Sequence, residues 1–505
     1  MAVQSIRRPG MIGKRPADPA ATGESAQQTQ DGNRSRFAKV GSVFAKGKGF
    51  LQPQVLWLLV LLAAICFEGL GRKYFPAVPA TVFYFAKDAV LVVGALWFGI
   101  RPNVRRAAIR FFGPFLFPMA LAALWTVVEM FNPENQSLPL ALVGLRAYWL
   151  WWFAPLVIAS AMADPRHFRF GLMALAAVSV VVAGFAAYQF ALPASDDANR
   201  YAMYEGQQIL DVAIVSSTNK ARVSSTFAYL SGFVAFVTLV PTVLLSMGIS
   251  QSKGVVRTVC LVGALAAAAV LPMSGSRGAI IIGAVGLAVV AWGAGLVRTK
   301  NGRRIAIAGA FAAVVATLAS PNAVKGIQDR FEYQDTNTRF AQFLEVLPPY
   351  ALATNEYPIL GVGTGMQQNA RYALKLHGRW NTEGETGRHL IELGVPGYLL
   401  FWLVRIGLVI ALIRAGLALR RAGQGAAAGA ALAYAVLTMT GNITFDHTWQ
   451  ALYFLGVAFV LHRAAELAPA RAPSARRLAR AMVRAQPTPK PDVPPAAPRR
   501  DALSG

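Results

Sequence analysis

The chain has 505 residues, of which 55% are apolar and only 14% charged, a balance typical of a polytopic membrane protein. Its formal net charge is +25. The basic residues fall mostly in short segments between apolar runs, where they set membrane orientation, so nucleic acid is not an expected partner. The two cysteines, Cys66 and Cys260, lie inside apolar segments and form neither a zinc-binding spacing nor a disulfide framework.

Apolar runs long enough to cross a bilayer recur along most of the chain. Each run of roughly 17–25 residues predicts one membrane-spanning helix, because about 20 helical residues cross the hydrocarbon core. About twelve spans are predicted, at 54–70, 78–99, 111–131, 138–161, 170–192, 226–248, 256–273, 279–297, 304–320, 393–413, 424–442 and 449–463. The expected fold class is therefore an all-α polytopic membrane protein.

Arginine and lysine divide the connecting segments into two alternating classes. The basic clusters occur at 46–48, 101–110, 166–169, 253–257, 298–304 and 414–421, and in the C-terminal tail at 471–480. Segments rich in these residues face the cytoplasm, so both termini are predicted to be cytoplasmic.

Three regions follow from this pattern. Residues 1–52 are predicted to be a disordered basic tail. Residues 53–463 form the transmembrane domain, and residues 464–505 form a basic, Pro/Ala-rich tail. Two outer loops are long, at 194–225 and 321–392, and the second precedes the tenth predicted span.

Arginines collect near the predicted outer face. Arg277 lies in a Ser-Gly-Ser-Arg-Gly-Ala segment between two apolar runs, where a guanidinium is costly unless it meets water, a protein partner or an anionic ligand. Because a guanidinium donates two parallel hydrogen bonds to phosphate oxygens, such a cluster suits a diphosphate. The residues predicted to bind it are Arg222, Arg277, Arg146 and Arg388. For any one of them, an interfacial arginine or a structural ion pair is the competing interpretation.

The segment that opens the tenth span contains candidate proton acceptors. On a helix, Glu385 and His389 are four residues apart and share a face, as do Arg388 and Glu392. A carboxylate or an imidazole there could take a proton from a hydroxyl nucleophile. The alternative is a charged helix start with ordinary ion pairs between successive turns.

Two further charged pairs have simpler interpretations. Lys87 and Asp88 lie within the second span, and we expect these adjacent charges to neutralise each other. Asp446 and His447 lie between the last two spans and are expected to form a capping or interfacial pair. The glycine-rich segment 361–365 is not a nucleotide-binding loop, because no strand or βαβ unit surrounds it.

The order of these motifs resembles the bacterial O-antigen ligase and polymerase superfamily. The similar segments are Arg222–Phe227 before a span, Ser276-Arg277-Gly278-Ala279, and Arg339 followed by Pro358–Gly365, Glu392-Leu-Gly394 and Gly397. The resemblance runs from about Arg222 to Gly397, and the span layout extends it over most of the chain.

This resemblance implies a glycosyltransferase of the bacterial inner membrane that acts at the periplasmic face, without a metal or other cofactor. Its implied donor is a glycan linked to undecaprenyl diphosphate, its acceptor is a glycan or a lipid-linked acceptor, and membrane lipids surround it. The family's arginines hold the diphosphate, a role that falls on Arg222 and Arg277. In the family a loop histidine, part of a His-Asn pair, activates the acceptor hydroxyl. Here Glu383 and Gly384 stand at the positions of that pair, so Glu383, Glu385 and His389 are the candidate catalytic bases.

Polymerisation of a surface polysaccharide is preferred to ligation onto a lipid. A secondary transporter or flippase fits the span count equally well, although no matching halves are evident in the sequence. A non-catalytic component of a polysaccharide export complex is the third alternative, which the absent His-Asn pair favours.

Overall fold

A computed structural model of the protein describes residues 52–202, 212–215, 220–251, 254–295, 347–354, 357–368, 371, 374, 376, 382, 384–441, 443–444 and 446–467. Within these residues the structure is helical, apart from one isolated antiparallel bridge between Ile214 and Ala221. The helices are α1 (Pro53–Cys66), α2 (Glu68–Tyr74), α3 (Ala80–Phe98), α4 (Pro102–Phe112), α5 (Leu116–Val128), α6 (Leu138–Trp149), α7 (Ala154–Ala161), α8 (Pro165–Ala191), α9 (Leu230–Ser250), α10 (Val255–Ala269), α11 (Arg277–Gly293), α12 (Pro348–Thr354), α13 (Glu385–Arg421), α14 (Gly425–Thr440) and α15 (His447–Leu467).

Many of these helices are long and apolar enough to cross a membrane. Within the described residues seven candidates meet both conditions, namely Ala80–Phe98, Pro102–Phe131, Leu138–Ala161, Pro165–Ala191, Leu230–Ser250, Val255–Ser274 and Glu385–Arg421. The bent pair α1–α2 makes an eighth if it is one span, and α11 and α14 are shorter apolar helices. The predicted all-helical membrane class is confirmed. The count of twelve spans stays a prediction, and the predicted span 304–320 lies outside the described residues.

Helix α9 is the centre of the bundle. It packs against α10, α11, α14 and α15, and 83% of its apolar window is buried inside the protein. A helix that is apolar all round belongs in a protein core or in a membrane, and the packing of α9 puts it in the core of the bundle.

Helices α11 and α14 approach each other through small residues. A side chain at Gly293 would lie 2.6 Å from the carbonyl oxygen of Gly425, and one at Gly429 would lie 2.8 Å from that of Val289. Glycine therefore sets the distance between these helices, as it does in many membrane bundles.

Helices α1 and α2 meet at a bend of 56°, and a distant segment fills the break. Thr226 Oγ1 donates to the carbonyl oxygen of Cys66 at 2.6 Å, and the backbone N–H of Leu70 donates to the carbonyl of Thr226 at 3.1 Å. These bonds satisfy backbone groups that an unbroken helix would pair internally.

Helix α13 is interrupted at Gly394, which has φ +64° and is followed by Pro396. The turn 359–363 replaces the lost helical bonds. The backbone N–H groups of Val362 and Gly363 donate to the carbonyls of Ile391 and Glu392, at 2.9 and 3.2 Å. The glycine-rich segment 361–365 thus bonds to the backbone carbonyls that the break in α13 leaves without helical partners.

Candidate functional site

Arg222 and Arg277 meet at one turn although 54 residues separate them in the sequence. Arg222 Nε donates to the carbonyl oxygen of Ser274 at 3.1 Å. Its side chain lies against Gly275, where a Cβ would come within 3.1 Å of it. Arg277 begins α11 two residues later, after Ser276 has capped that helix by accepting from the N–H of Ala279. Arg222 and residues 274–277 form what we call the outer arginine turn, in which both arginines are partly exposed.

Tyr201, in the preceding loop, stabilises the outer arginine turn. Its hydroxyl donates to the carbonyl oxygen of Arg222 at 2.9 Å, and its ring meets that of Tyr229 edge-on at 4.8 Å. Burial raises the pKa of Tyr201 to about 12, so the hydroxyl stays protonated and remains a donor at neutral pH.

Lys73 links the outer arginine turn to the interior of the bundle. Its Nζ is buried and donates to Ser224 Oγ at 2.7 Å and to the carbonyl oxygen of Ser225 at 3.1 Å. Ser225 has φ +48°, and no other non-glycine residue in the described part of the chain has a positive φ. The lysine therefore holds the strained residue Ser225, three residues beyond Arg222.

Lys87 and Asp88 do not neutralise each other, contrary to the expectation from their adjacency. Lys87 pairs with Glu68, and Asp88 pairs with Arg146, whose Nε lies 2.6 Å from Asp88 Oδ2. Trp151 Nε1 donates to Asp88 Oδ1 at 2.8 Å. Successive helical residues point about 100° apart, so each charge finds a partner on a different neighbouring helix.

The ring of Tyr84 lies among these charges. Lys87 Nζ and the guanidinium of Arg146 lie 4.9 and 4.7 Å from its centroid, and that of Arg72 lies at 5.9 Å. His447 meets the same ring edge-on at 5.5 Å. Cations over an aromatic face are stabilised by its quadrupole, so Tyr84 allows several positive groups to lie close together.

Thr444 binds three residues of the first turns of α13. Its N–H and hydroxyl donate to Glu385 at 3.1 and 2.8 Å, its hydroxyl lies 2.9 Å from His389 Nε2, and its carbonyl accepts from Arg388 at 3.0 Å. Arg405 pairs with Glu385 at 2.8 Å. The connection between α14 and α15 is thereby fixed to the start of α13.

Glu392 is fully buried and satisfies several donors. It accepts from the hydroxyl of Tyr148 at 2.8 Å and from the backbone N–H groups of Gly365 and Gln367 at 3.0 and 2.6 Å. Arg388, four residues earlier in the helix, lies 3.4 Å from the Glu392 carboxylate, as the spacing predicted. Its guanidinium lies over the Tyr148 ring. The carboxylate joins α6, α13 and the turn 361–368.

These contacts make up one polar region, which we call the interior network. Its members are Glu68, Arg72, Lys73, Tyr84, Lys87, Asp88, Arg146, Tyr148, Glu385, Arg388, His389, Glu392, Arg405, Thr444 and His447. It lies at the middle of α3, at the end of α6 and at the starts of α13 and α15. Helices α3 and α13 run from the network towards the basic segments 101–110 and 414–421.

The predicted site residues divide between the two regions. Arg222 and Arg277 lie at the outer arginine turn, whereas Arg146, Arg388, Glu385 and His389 belong to the interior network. Glu385 and His389 are each only 2% exposed and are bonded to Thr444, and His389 stacks on Phe401 at 4.5 Å. Glu383 lies outside the described residues.

Several polar residues of the site could not be recognised from the sequence. Thr444, Tyr148 and Tyr84 carry no motif, and their roles depend on partners far away in the chain. The pair Asp446–His447 behaves partly as expected, because Asp446 Oδ1 accepts from the N–H groups of Thr448 and Trp449 and so caps α15.

Comparison of the chain with protein-family models finds no match, and no curated protein sequence is significantly similar to it. The site must therefore be interpreted from its own geometry.

Proposed function

We propose that the protein is a membrane glycosyltransferase of the O-antigen ligase and polymerase type. It transfers or polymerises glycan linked to undecaprenyl diphosphate at the periplasmic face of the bacterial inner membrane, with polymerisation preferred to ligation. The observation that carries the proposal is the convergence of Arg222 on the turn that leads into Arg277.

The charge pattern supports a periplasmic location for this site. The helices of the interior network run towards basic segments, and such segments face the cytoplasm. The network and the outer arginine turn then lie at the periplasmic end, with both termini cytoplasmic. A lipid-linked donor presents its diphosphate at that level of the membrane, where the partly exposed arginines can reach it.

In the proposed reaction, the bond between the anomeric carbon of the donor sugar and its diphosphate oxygen breaks. The acceptor hydroxyl oxygen forms the new bond to that carbon and loses its proton to a base. Undecaprenyl diphosphate leaves with the negative charge, which Arg222, Arg277 and the N-terminus of α11 stabilise.

Two of the candidate bases, Glu385 and His389, are buried, which favours Glu383 as the catalytic base. Glu385 already binds Arg405 and Thr444, and His389 is enclosed by aromatic rings and Thr444. These two residues are suited to holding the start of α13 in place. We therefore assign the base to Glu383, the residue at the position of the family's histidine.

The arginine role is tested by complementing a deletion strain with Arg222→Ala and Arg277→Ala. Each change should reduce polymer formation by about 10²-fold or more and cause lipid-linked repeats to accumulate, since it removes a donor to the leaving group. Arg105→Ala, an exposed arginine on α4, is the matched control and should leave polymer unchanged. Normal polymer in either site variant at wild-type protein levels would refute the diphosphate role.

The base is tested with Glu383→Gln, which keeps the shape of the side chain and removes its basicity. We expect turnover to fall by about 10²–10⁴-fold while donor binding is retained. Glu385→Gln and His389→Ala should instead lower the amount of folded protein. Normal polymer from Glu383→Gln at wild-type protein levels would show that the base lies elsewhere.

The breaks at α1–α2 and at Gly394 are the observation that favours the transporter alternative, because transporters bind substrates at broken helices. Here, however, Thr226 and the turn 359–363 bond to the backbone groups at the breaks. Reconstituted vesicles distinguish the two functions. A transporter would move lipid-linked glycan across the bilayer without lengthening it, whereas the proposed enzyme would lengthen it.

A further inference from the structure

His447 is a buried polar residue whose surroundings do not explain it. It is the first residue of α15 and only 8% exposed, and neither ring nitrogen has a hydrogen-bond partner among the described residues. Gln450 lies one turn later on the same face, and its Oε1 also lacks a partner there, although its Nε2 donates to the carbonyl of Ala147. Buried polar groups in native proteins are almost always bonded, so such a pair indicates a missing partner.

Three cations act on His447, and the adjacent carboxylate of Asp446 is already bonded to Ser231. Arg146, Lys87 and Arg388 act electrostatically on its imidazole, and Arg146 lies over the same Tyr84 ring that His447 meets edge-on. Within the described residues, and leaving aside Lys73, whose burial disfavours its charged form, the interior network has five cationic side chains, Arg72, Lys87, Arg146, Arg388 and Arg405, against four carboxylates, Glu68, Asp88, Glu385 and Glu392. An excess of buried positive charge favours an anion.

Arg146 can reach such an anion. Its bonds to Asp88 and to the Tyr84 hydroxyl use three of its five guanidinium N–H groups, and its side chain is 14% exposed. It lies eight residues into α6, about 12 Å from the start of that helix. The network is therefore accessible at Arg146, within the periplasmic half of the bundle.

We propose that His447 and Arg146 form a second anion site, which binds a phosphate group and is separate from the outer arginine turn. One imidazole nitrogen and the remaining guanidinium donors bond to the phosphate oxygens. Phosphate is the anion expected there, because guanidinium and imidazole donors suit its oxygens and a membrane carries phosphate in its lipid headgroups. The group is either that of a lipid or a free phosphate, and the site does not depend on the proposed transferase activity.

The test measures thermal unfolding of the purified full-length protein in detergent, with inorganic pyrophosphate or dihexanoyl phosphatidic acid added and sodium chloride at equal ionic strength as reference. We expect the phosphate probes to raise the unfolding midpoint. A shift with both probes identifies the phosphate group itself, and a shift with the lipid alone identifies a headgroup site. Either result supports the proposal, and no shift beyond the chloride reference overturns it.

Variants locate the binding. His447→Ala should weaken the apparent Kd by about tenfold or more, as expected for the loss of a hydrogen bond to a charged group, and His447→Gln should weaken it less. His462→Ala is the matched control, because His462 is also buried on α15 and its Nε2 also lacks a partner within the described residues. An equal loss in His462→Ala, or none in His447→Ala, contradicts the proposal.

A double variant keeps the test independent of whether the His447 variants fold. In the double variant Arg222→Ala/Arg277→Ala the outer arginine turn cannot bind phosphate, so any remaining shift reports the second site. We expect the shift to persist there. Its disappearance would assign phosphate binding to the outer arginine turn and refute a second site, while leaving the proposed function intact.

Discussion

The outer arginine turn and the interior network hold their arginines in different ways. In the network Arg146, Arg388 and Arg405 each contact a carboxylate and lie against an aromatic ring. At the turn Arg222 is held by a backbone carbonyl and stays partly exposed. A charge inside a membrane bundle needs an opposite charge and hydrogen bonds to be tolerated, whereas a partly exposed guanidinium can accept a ligand. Network changes should therefore affect stability first, and turn changes should affect activity.

The largest expected effect on stability comes from Glu392→Ala. The change removes the carboxylate that lies beside the buried Arg388 and accepts from Tyr148, Gly365 and Gln367. We expect a loss of about 3–5 kcal/mol of unfolding free energy. Protein levels in membranes and thermal unfolding in detergent measure it.

Its control is Glu466→Ala, which breaks the more exposed pair with Arg463. That change should cost at most about 1 kcal/mol. Equal losses in the two variants would show that burial does not distinguish the interior network from surface pairs.

Gly394→Ala should have the next largest effect. The residue has φ +64°, and a Cβ would lie 2.3 Å from the carbonyl oxygen of Ile359. With ψ at −173°, this backbone conformation is one that essentially only glycine adopts, so it costs an alanine about 1–3 kcal/mol, and the clash adds to it. Gly184→Ala in α8, where nothing lies within 4 Å, should be neutral or stabilising in the same unfolding assay. A neutral Gly394→Ala would mean that α13 is not held at this break.

Thr226→Val tests the bond that closes the break between α1 and α2. Removal of the hydroxyl leaves the carbonyl of Cys66 without its donor, at a cost of about 1–3 kcal/mol. Thr258→Val removes a long, exposed bond of 3.5 Å and should change the unfolding midpoint little. Indistinguishable midpoints for the two variants would argue that the segment 224–226 does not stabilise the bend.

Arg222→Lys should have the smallest effect on stability and a large one on activity. Lysine keeps the positive charge but cannot donate two parallel bonds to a diphosphate, so polymer formation should fall while the unfolding midpoint changes little. Polymer assays on membranes with matched protein levels measure the activity, and thermal unfolding in detergent measures the midpoint. Retained polymer with a lowered midpoint would reverse the assignment and make Arg222 a structural residue.

Hydropathy predicted the helical class and most helix positions, because the requirement for backbone bonding in lipid acts locally. It placed 138–161 and 170–192 close to the observed Leu138–Ala161 and Pro165–Ala191. It was less accurate at charged ends, since α13 begins at Glu385, before the predicted 393, and continues to Arg421. At the start of α13, contacts with residues distant in the sequence stabilise charged helical turns, which a hydropathy criterion leaves out of a predicted span.

The sequence alone determined that this is a helical membrane protein, and its spacing showed that Glu385 with His389, and Arg388 with Glu392, share helix faces. Only the tertiary structure decided that Lys87 and Asp88 pair with Glu68 and Arg146, that Thr444 joins three residues of α13, and that His447 lies among positive charges. The physical reason is the sequence distance over which each effect acts. Hydropathy and helical periodicity act over a few residues, whereas the partner of a buried charge depends on which helices pack together.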